Sequence, residues 1–191
     1  MNMLSIVNAA ASIEPDTWHL SGSDLVTRQM RLGDLSGIFK DVEAYKRRDP
    51  QTLVYTVQAY MPVAEGTPGG LHFGTTVIEP GRVGEEYFMT RGHSHAQANR
   101  GEYYWGVQGE GMLILMNRER EVWAERIKPG SLHYIGAYTS HRVANTGSVR
   151  LIFGASWPSD AGHKYDEIAR HGFAARLLAG SRGIPDLIAE P

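Results

Sequence analysis

The chain has 191 residues, no cysteine, and a net charge of −2 from 19 Lys and Arg against 21 Asp and Glu. This length favours a single domain that buries roughly 70% of the surface exposed by its unfolded chain, so that no cross-links are needed for stability. The missing cysteines exclude disulfides, thiolate metal ligands and cysteine nucleophiles, and they fit a reducing compartment. Because there is no long basic run, we do not expect a nucleic-acid partner.

The N-terminal stretch 1–15 is mildly apolar, so a secretory signal has to be considered. It lacks the positive charge that opens such signals, since the first cation is Arg28, and the acidic residues Glu14 and Asp16 lie close to its end. No uncharged run approaches the roughly 20 residues of a membrane span. We therefore expect a soluble cytoplasmic protein with no membrane partner.

The composition of residues 1–33 predicts irregular structure with one or two short strands. From Asp34 onward, apolar residues recur at helical spacing, and the pattern ends in three cations followed by Asp49 and Pro50. Cations in a last turn and a nearby proline are stop signals for a helix. We predict a short helix at about 41–48 that serves packing only.

After Pro50 the chain alternates short runs of β-forming residues with turns that contain glycine or proline. The runs are Leu53–Tyr60, Leu71–Ile78, Tyr87–Thr90, Glu102–Val107, Met112–Met116, Val122–Ile127, Leu132–Ile135, Arg142–Asn145 and Arg150–Ser156. Many short strands at roughly ten-residue spacing favour an all-β sandwich or barrel. A barrel-like jelly roll also has a concave interior in which side chains of several strands can meet.

No internal repeat or second-domain boundary is visible in the sequence. Asp166–Arg170 is predicted to form a short helix that ends at Gly172. We expect the tail Ala179–Pro191 to be loosely ordered. The predicted organisation is one domain over 1–191, with an N-terminal extension 1–49, a barrel core at about 50–158, and a C-terminal helix and tail 159–191.

Two closely spaced histidines are the first candidates for a functional site. His93 and His95 are separated by one residue, so on an extended strand their imidazoles point to the same face. Glu102 follows seven residues after His95, and the connection between them can turn back and bring its carboxylate near. His141 is a fourth candidate far downstream. Such a pair alone is also common on a solvated face, but three imidazoles and one carboxylate suit Fe(II), Mn(II), Ni(II) or Zn(II).

The surroundings of these residues form a two-part pattern. Glu102 is followed after six residues by Gly109, Pro129-Gly130 precedes His141, and Asn145 follows His141 after three residues. This pattern resembles the cupin superfamily, whose small jelly-roll barrels bind one metal through three His and one Glu, although many cupins have a shorter spacing before the Glu. The ligands that the resemblance implies are His93, His95, Glu102 and His141.

Longer motifs narrow the resemblance. They are Thr75-Thr76-Val77-x-x-Pro80-Gly81, Glu86-Tyr87-x-x-Thr90-x-Gly92-His93-x-His95, Glu102-x-Tyr104, Gly109-x-Gly111-Met112, and Trp157-Pro158 followed by Asp160-Ala161-Gly162-His163-x-Tyr165. From about residue 26 to 178 the chain resembles the cupin-type glucose-6-phosphate isomerases of archaea and some bacteria, except that Gly136–Ser140 replaces a more proline-rich turn. The resemblance implies a homodimeric enzyme of glycolysis and gluconeogenesis that uses Fe(II), with Mn, Ni or Zn as alternatives.

A sugar phosphate needs donors for its phosphate, and the chain has no lysine-bearing Walker-type loop. Neutral donors can hold a phosphate, because hydrogen bonds to an anion are stronger than neutral ones. The resemblance assigns the phosphate to the hydroxyls of Tyr55, Thr76 and Thr90 and to the backbone amide of Gly92. We expect the Arg91 side chain to point away from its neighbours if the strand is regular.

Aldose–ketose isomerisation moves a hydrogen between C1 and C2, so it needs an electrophile and a group that carries a proton. Glu102 is the carboxylate nearest the implied metal, and we predict that it is the base of a cis-enediol route, with a hydride shift as the alternative. Tyr104 lies two residues further and shares the same strand face. The resemblance implies that Tyr104 and His163 contact the sugar, with His163 assisting ring opening.

Two other functions would use the same ligand set. A cupin Fe(II) dioxygenase would need oxygen and no phosphate donors, and the separate His163 together with the phosphate hydroxyls argues against it. A non-catalytic cupin that senses sugar or metal is disfavoured because no DNA-binding segment is visible. The isomerase is therefore the favoured function.

Overall fold

A computed structural model describes residues 6–180 and 183–190. The strands are β1 (Ala11–Ile13), β2 (Leu20–Gly22), β3 (Leu25–Arg31), β4 (Leu53–Tyr60), β5 (Leu71–Ile78), β6 (Arg82–Val83), β7 (Glu86–Tyr87), β8 (Ser94–His95), β9 (Glu102–Gln108), β10 (Gly111–Met116), β11 (Val122–Ile127), β12 (Leu132–Ile135), β13 (Ser140–Asn145), β14 (Leu151–Pro158), β15 (His163–Lys164), β16 (Ala175–Ala179) and β17 (Pro185–Ala189). Residues 1–5, 181–182 and 191, which belong to the predicted N-terminal segment and C-terminal tail, lie outside the described part.

The first layer is a six-stranded antiparallel sheet in the order β12-β9-β14-β5-β4-β3. Strands β4 and β5 begin and end at the residues predicted from the sequence. In β9, the buried residues Glu102 and Tyr104 alternate with the more exposed Tyr103 and Trp105. This period of two gives the sheet one face toward the interior and one toward solvent.

The second layer contains β10 between β11 and β13, again antiparallel. The segment 88–93 extends it along β13, since the backbone N–H of Thr90 donates to the carbonyl of Val143 at 2.8 Å. Apolar residues of both layers form one buried cluster, with Phe153 from the first sheet and Leu113 and Leu115 from the second. The predicted all-β jelly-roll barrel with short flanking helices is therefore confirmed.

The predicted helices are also present. Helix α1 (Val42–Lys46) lies within the predicted 41–48, and the Asp41 carboxylate caps it by accepting from the backbone N–H of Ala44 at 2.8 Å. Helix α2 (Asp166–His171) ends at Gly172, whose φ of 62° suits a residue without a Cβ. Within 6–180 and 183–190, none of the helices is long and apolar enough to cross a membrane.

Two expectations about the chain ends are wrong. Instead of largely irregular structure before residue 34, β3 runs for seven residues and pairs with β4 from Leu25 opposite Tyr60 to Met30 opposite Tyr55. Instead of a loosely ordered tail, β17 pairs along its whole length with β16. In both places, pairing with a neighbouring strand decides the conformation, and for β3 the partner β4 lies more than twenty residues further along the chain. The predicted division into extension, core and tail stays a prediction.

Asn145 is a polar residue that is completely buried at the end of β13. Its Nδ2 donates to the carbonyls of Ile78 and Val149, both at 2.9 Å, and its Oδ1 accepts from the backbone N–H of Gly147 at 3.0 Å. The side chain thus joins β13 to β5 and holds the turn before β14.

We predict that Asn145→Leu lowers the free energy of unfolding by about 2–4 kcal/mol, because it leaves buried carbonyls without donors. Urea denaturation measures the change. The control is Asn117→Leu, which removes a half-buried side chain that contacts Glu121 in a turn, and it should change stability by about 1 kcal/mol or less. Equal losses in the two variants would contradict the role given to Asn145.

Candidate metal centre and substrate cavity

A cavity of about 360 Å³ opens between the two sheets. Its walls come from β3, β4, β5, β9 and β14 of the six-stranded sheet, and from the segment 90–93 and His141 of the second layer. His163 and Tyr165, near β15, also border it. The polar groups selected from the sequence therefore have a common space in which one ligand could meet them.

One end of the cavity brings together His93, His95, Glu102 and His141, whose potential ligand atoms all lie within 4.8 Å of one another. His93 and His141 lie side by side because the backbone N–H of each donates to the carbonyl of the other, at 3.1 and 2.9 Å. Glu102 begins β9 on the opposite sheet and points inward. His95 joins the cluster from two residues beyond His93, as the alternation of an extended strand predicts.

The backbone fixes which ring nitrogen faces the cluster. The Nδ1 atom of His95 lies 2.9 Å from the carbonyl oxygen of Arg100, and that of His141 lies 3.4 Å from the carbonyl oxygen of Thr139. Since a carbonyl only accepts, each Nδ1 carries the hydrogen and each Nε2 presents a lone pair. This arrangement is the usual one for metal-binding histidines.

The Nε2 atoms crowd around one carboxylate oxygen. Glu102 Oε1 lies 3.1 Å from Nε2 of His95 and 2.7 Å from Nε2 of His141. Ligand atoms bound at about 2.0–2.2 Å to one ion lie about 3 Å from each other. The Nε2 atom of His93 is buried and has no hydrogen-bond partner among the described residues, and the buried Nε2 of His141 has only the Glu102 carboxylate beside it. A divalent metal ion would satisfy them, so the residues present fit such an ion.

Burial and charge set the protonation states of the cluster. Burial lowers the pKa of His93, and the neighbouring His141 lowers it further. For Glu102, burial raises the pKa, but the histidines outweigh this effect and hold the pKa below its usual value. For His95, burial is outweighed by the hydrogen bond with Glu102, which raises the pKa. An ionised carboxylate among imidazoles is a donor set that a divalent cation can use.

The residues expected at the phosphate line the other part of the same cavity: Tyr55, Thr76, Thr90 and Gly92. Thr90 Oγ1 accepts from the backbone N–H of Val143 at 3.0 Å, which leaves its own hydrogen to donate. The Tyr55 hydroxyl similarly accepts from the backbone N–H of Arg91 at 3.4 Å. Both hydroxyls are therefore oriented by the backbone as donors.

The residues expected to contact the sugar also lie at the cavity. Tyr104 is buried, which raises its pKa and keeps its hydroxyl protonated, and its ring lies 5.6 Å from that of His141. The His163 ring lies 4.4 Å from the His93 ring, because β15 pairs with β8 and sets His163 opposite His95. Partial burial lowers the pKa of His163. Tyr165 stacks on His163 with ring centroids 6.0 Å apart.

The cavity also contains charged residues that the sequence analysis did not select. Arg28 lines it because β3 is a strand of the main sheet, which the sequence did not predict. Arg91 also borders the cavity, and its guanidinium donates to the carbonyl of Asp34, which does not line the cavity. The expected direction of this side chain, away from Thr90 and Gly92, stays a prediction.

We predict that the protein binds about one divalent metal ion per chain and that His141→Ala lowers the affinity by more than about tenfold, because a ligand is lost. Bound metal is measured by elemental analysis after dialysis, and chelation should lower the melting temperature of the wild-type protein. The control is His133→Gln, which alters a buried histidine held by Glu125 and Ser131 outside the cluster. Equal metal contents in the two variants would refute the assignment.

The comparisons with known proteins agree with this geometry. The profile of a family described as "Glucose-6-phosphate isomerase (GPI)" matches residues 29–186. The glucose-6-phosphate isomerase of Thermococcus onnurineus is 41% identical over 169 residues, which cover 87% of this chain and 86% of that protein. The protein of the same name from Pyrococcus horikoshii is 42% identical over 152 residues, 78% of each.

Among solved structures, oxalate decarboxylase from Bacillus subtilis superposes with a TM-score of 0.45 at 17% identity, covering 58% of this chain and 27% of that one. The family assignment does not depend on this likeness. It rests on the profile match over most of the chain and on the identity with relatives of nearly the same length. By these criteria the chain belongs to the glucose-6-phosphate isomerase family.

Proposed function

We propose that this protein interconverts glucose 6-phosphate and fructose 6-phosphate and depends on one divalent metal ion. The observation that carries the proposal is a single cavity bordered both by a buried cluster of imidazoles and a carboxylate and by hydroxyl and amide donors suited to a phosphate. Relatives 41% and 42% identical carry the name glucose-6-phosphate isomerase. We also propose that the enzyme acts in the cytoplasm as a homodimer of single-domain subunits.

The metal ion would be held by His93, His95, Glu102 and His141. When bound, it supplies positive charge that stabilises the negative charge developing on the sugar oxygens. Imidazole and carboxylate ligands suit Fe(II), our first choice, as well as Mn, Ni and Zn.

We assign the phosphate to Tyr55, Thr76, Thr90 and the amide of Gly92. Tyr55 and Thr76 belong to neighbouring strands of the six-stranded sheet, and Thr90 and Gly92 belong to the segment that faces them. The phosphate would therefore lie between the two sheets. Fixing this group positions the rest of the sugar, so that binding energy far from the reacting carbons contributes to the rate.

Glu102 is the group to which we assign proton transfer. With open-chain glucose 6-phosphate, the carboxylate takes the proton from C2 and returns it to C1, while the hydroxyl proton of O2 passes to O1. One base that serves both carbons from one side corresponds to a cis-enediol route. The Tyr104 hydroxyl would contact the sugar from the same strand face. His163, at the cavity wall, would exchange the proton that moves between the ring oxygen and the C1 hydroxyl during ring opening.

The deciding experiment is an anaerobic assay of metal-replete protein with fructose 6-phosphate. We expect glucose 6-phosphate to form, and activity to disappear with a chelator. Glu102→Gln should lower kcat by about 100-fold or more, because the base is lost, whereas Glu65→Gln, which alters another carboxylate at the cavity, should have little effect. In the reverse direction, with glucose 6-phosphate deuterated at C2, the enediol route predicts loss of label to water.

Two results would count against this proposal, and a third would change only the proposed route. Absence of glucose 6-phosphate with every divalent metal would remove the isomerase, and oxygen consumption in an aerobic assay would favour a dioxygenase. Complete transfer of the label to C1 would leave the isomerase intact but replace the enediol route with a hydride shift.

The phosphate assignment predicts that Thr76→Val raises KM for fructose 6-phosphate by about tenfold while kcat changes little, because a donor used equally in ground and transition states is lost. The adjacent Thr75→Val is a matched control. Both threonines are buried in β5, but only Thr76 lines the cavity. Steady-state kinetics of the two variants test the assignment, and an equal rise in KM in both would contradict it.

A further inference from the structure

Arg142 is a buried cation directly behind the phosphate end of the cavity. It follows His141 in β13 and is only 8% exposed. Its guanidinium carbon lies 4.2 Å from the centre of the Phe173 ring. An arginine side chain keeps its charge at neutral pH, even when it is buried. A buried charge is expensive unless it has partners, so its position requires an explanation.

The partners of Arg142 are in the segment that leads to the metal cluster. Nη2 donates to the carbonyl oxygen of Arg91 at 3.0 Å, and Nη1 lies 3.2 Å from the sulfur of Met89. Within the described residues, Arg142 makes no ion pair shorter than 4.0 Å, and the nearby Glu86 is paired with Arg176 at 2.7 Å. The guanidinium is therefore directed at the Met89 side chain and at the backbone carbonyl of Arg91.

The hydrogen bond to Arg91 determines the direction of the next amide. In a planar trans peptide the C=O and the N–H point in opposite directions. Because the carbonyl of Arg91 points toward Arg142, the N–H of Gly92 points to the other side. Gly92 lines the cavity and Arg142 does not, so that other side is the cavity.

Gly92 packs directly against this arginine. Its φ is 82°, and a Cβ at this position would lie 2.9 Å from Cε2 of Phe173 and 3.1 Å from Cβ and Nε of Arg142. Only a glycine allows the segment to approach so closely while its backbone takes a left-handed conformation. The close packing and the hydrogen bond together fix the Arg91–Gly92 peptide in one orientation.

We infer that Arg142 is a positioning residue for the phosphate: it holds the Arg91–Gly92 peptide so that the Gly92 amide donates into the cavity, and its own charge adds attraction from behind. This inference rests on the proposed function. Without the guanidinium, the peptide can rotate and present the Arg91 carbonyl oxygen to a dianion, which converts an attraction into a repulsion.

The test compares Arg142→Met and Arg142→Lys with the wild-type protein loaded with metal. For Arg142→Met we expect KM for fructose 6-phosphate to rise by about tenfold or more, with kcat changed by less than about threefold. Inorganic phosphate, titrated calorimetrically, should bind more weakly by a similar factor, while bound metal stays unchanged. Arg142→Lys keeps the positive charge and can donate one hydrogen bond. Its KM and its phosphate affinity should lie between those of Arg142→Met and the wild-type protein.

Arg150→Met is the control, since it removes an arginine that pairs with Glu79 and does not line the cavity, and its KM should stay near the wild-type value. If Arg142→Met does not fold, Arg142→Gln, a neutral side chain of similar polarity, takes its place. Unchanged phosphate affinity, or a lower kcat and metal content at constant KM, would overturn the inference. The phosphate titration needs no turnover, so its result is separable from failure of the isomerase proposal.

Discussion

The site depends on the contact of one carboxylate with histidines from the opposite layer. Glu102 begins β9 in the six-stranded sheet, and its Oε1 lies 3.1 Å from His95 and 2.7 Å from His141 across the interior. Glu102 is near His95 in the linear sequence but far from His141. Folding of both sheets brings the three side chains together. The packing that buries the apolar core therefore also assembles the cluster, and a shift of one sheet against the other would separate its members.

The cluster is costly to the apoprotein. Buried polar atoms without partners destabilise a fold by about 1–3 kcal/mol each, and Nε2 of His93 is in this state among the described residues. The surrounding structure tolerates this atom because His93 and His141 are fixed by their reciprocal backbone hydrogen bonds. Unsatisfied polar atoms of this kind occur where function requires them. A cation that binds to them stabilises the protein as well as being chemically useful.

The sequence predicts the features that depend on local patterns. The common direction of His93 and His95 follows from a period of two, and the limits of β4 and β5 follow from β-forming runs between turns. Glu102 and His141 were selected only through their spacing relative to other motifs, since nothing local shows that they meet. Their roles as ligands stay predictions, although their convergence is a property of the fold.

The features that the sequence did not predict are set by distant contacts or by one backbone angle. Strand β3 has mostly exposed residues and no clear alternation, and its pairing with β4 is what makes it a strand. Arg28 at the cavity follows from this pairing. The left-handed conformation of Gly92, with a φ of 82°, is another feature that the local pattern did not predict. Such angles are decided by packing, here against Arg142 and Phe173.

The two ends of the cavity differ in the charge of the ion that they attract. At the metal end, an ionised Glu102 lies among imidazoles, so the end attracts a cation. At the phosphate end, the donors are neutral hydroxyls and an amide, and a buried guanidinium lies behind them rather than in contact with solvent. Salt screens exposed charges much more than buried ones. Under the phosphate and metal assignments proposed above, a substrate with an anion at one end and oxygens that bind a cation at the other would lie in one direction only, and this orientation would bring C1 and C2 toward Glu102.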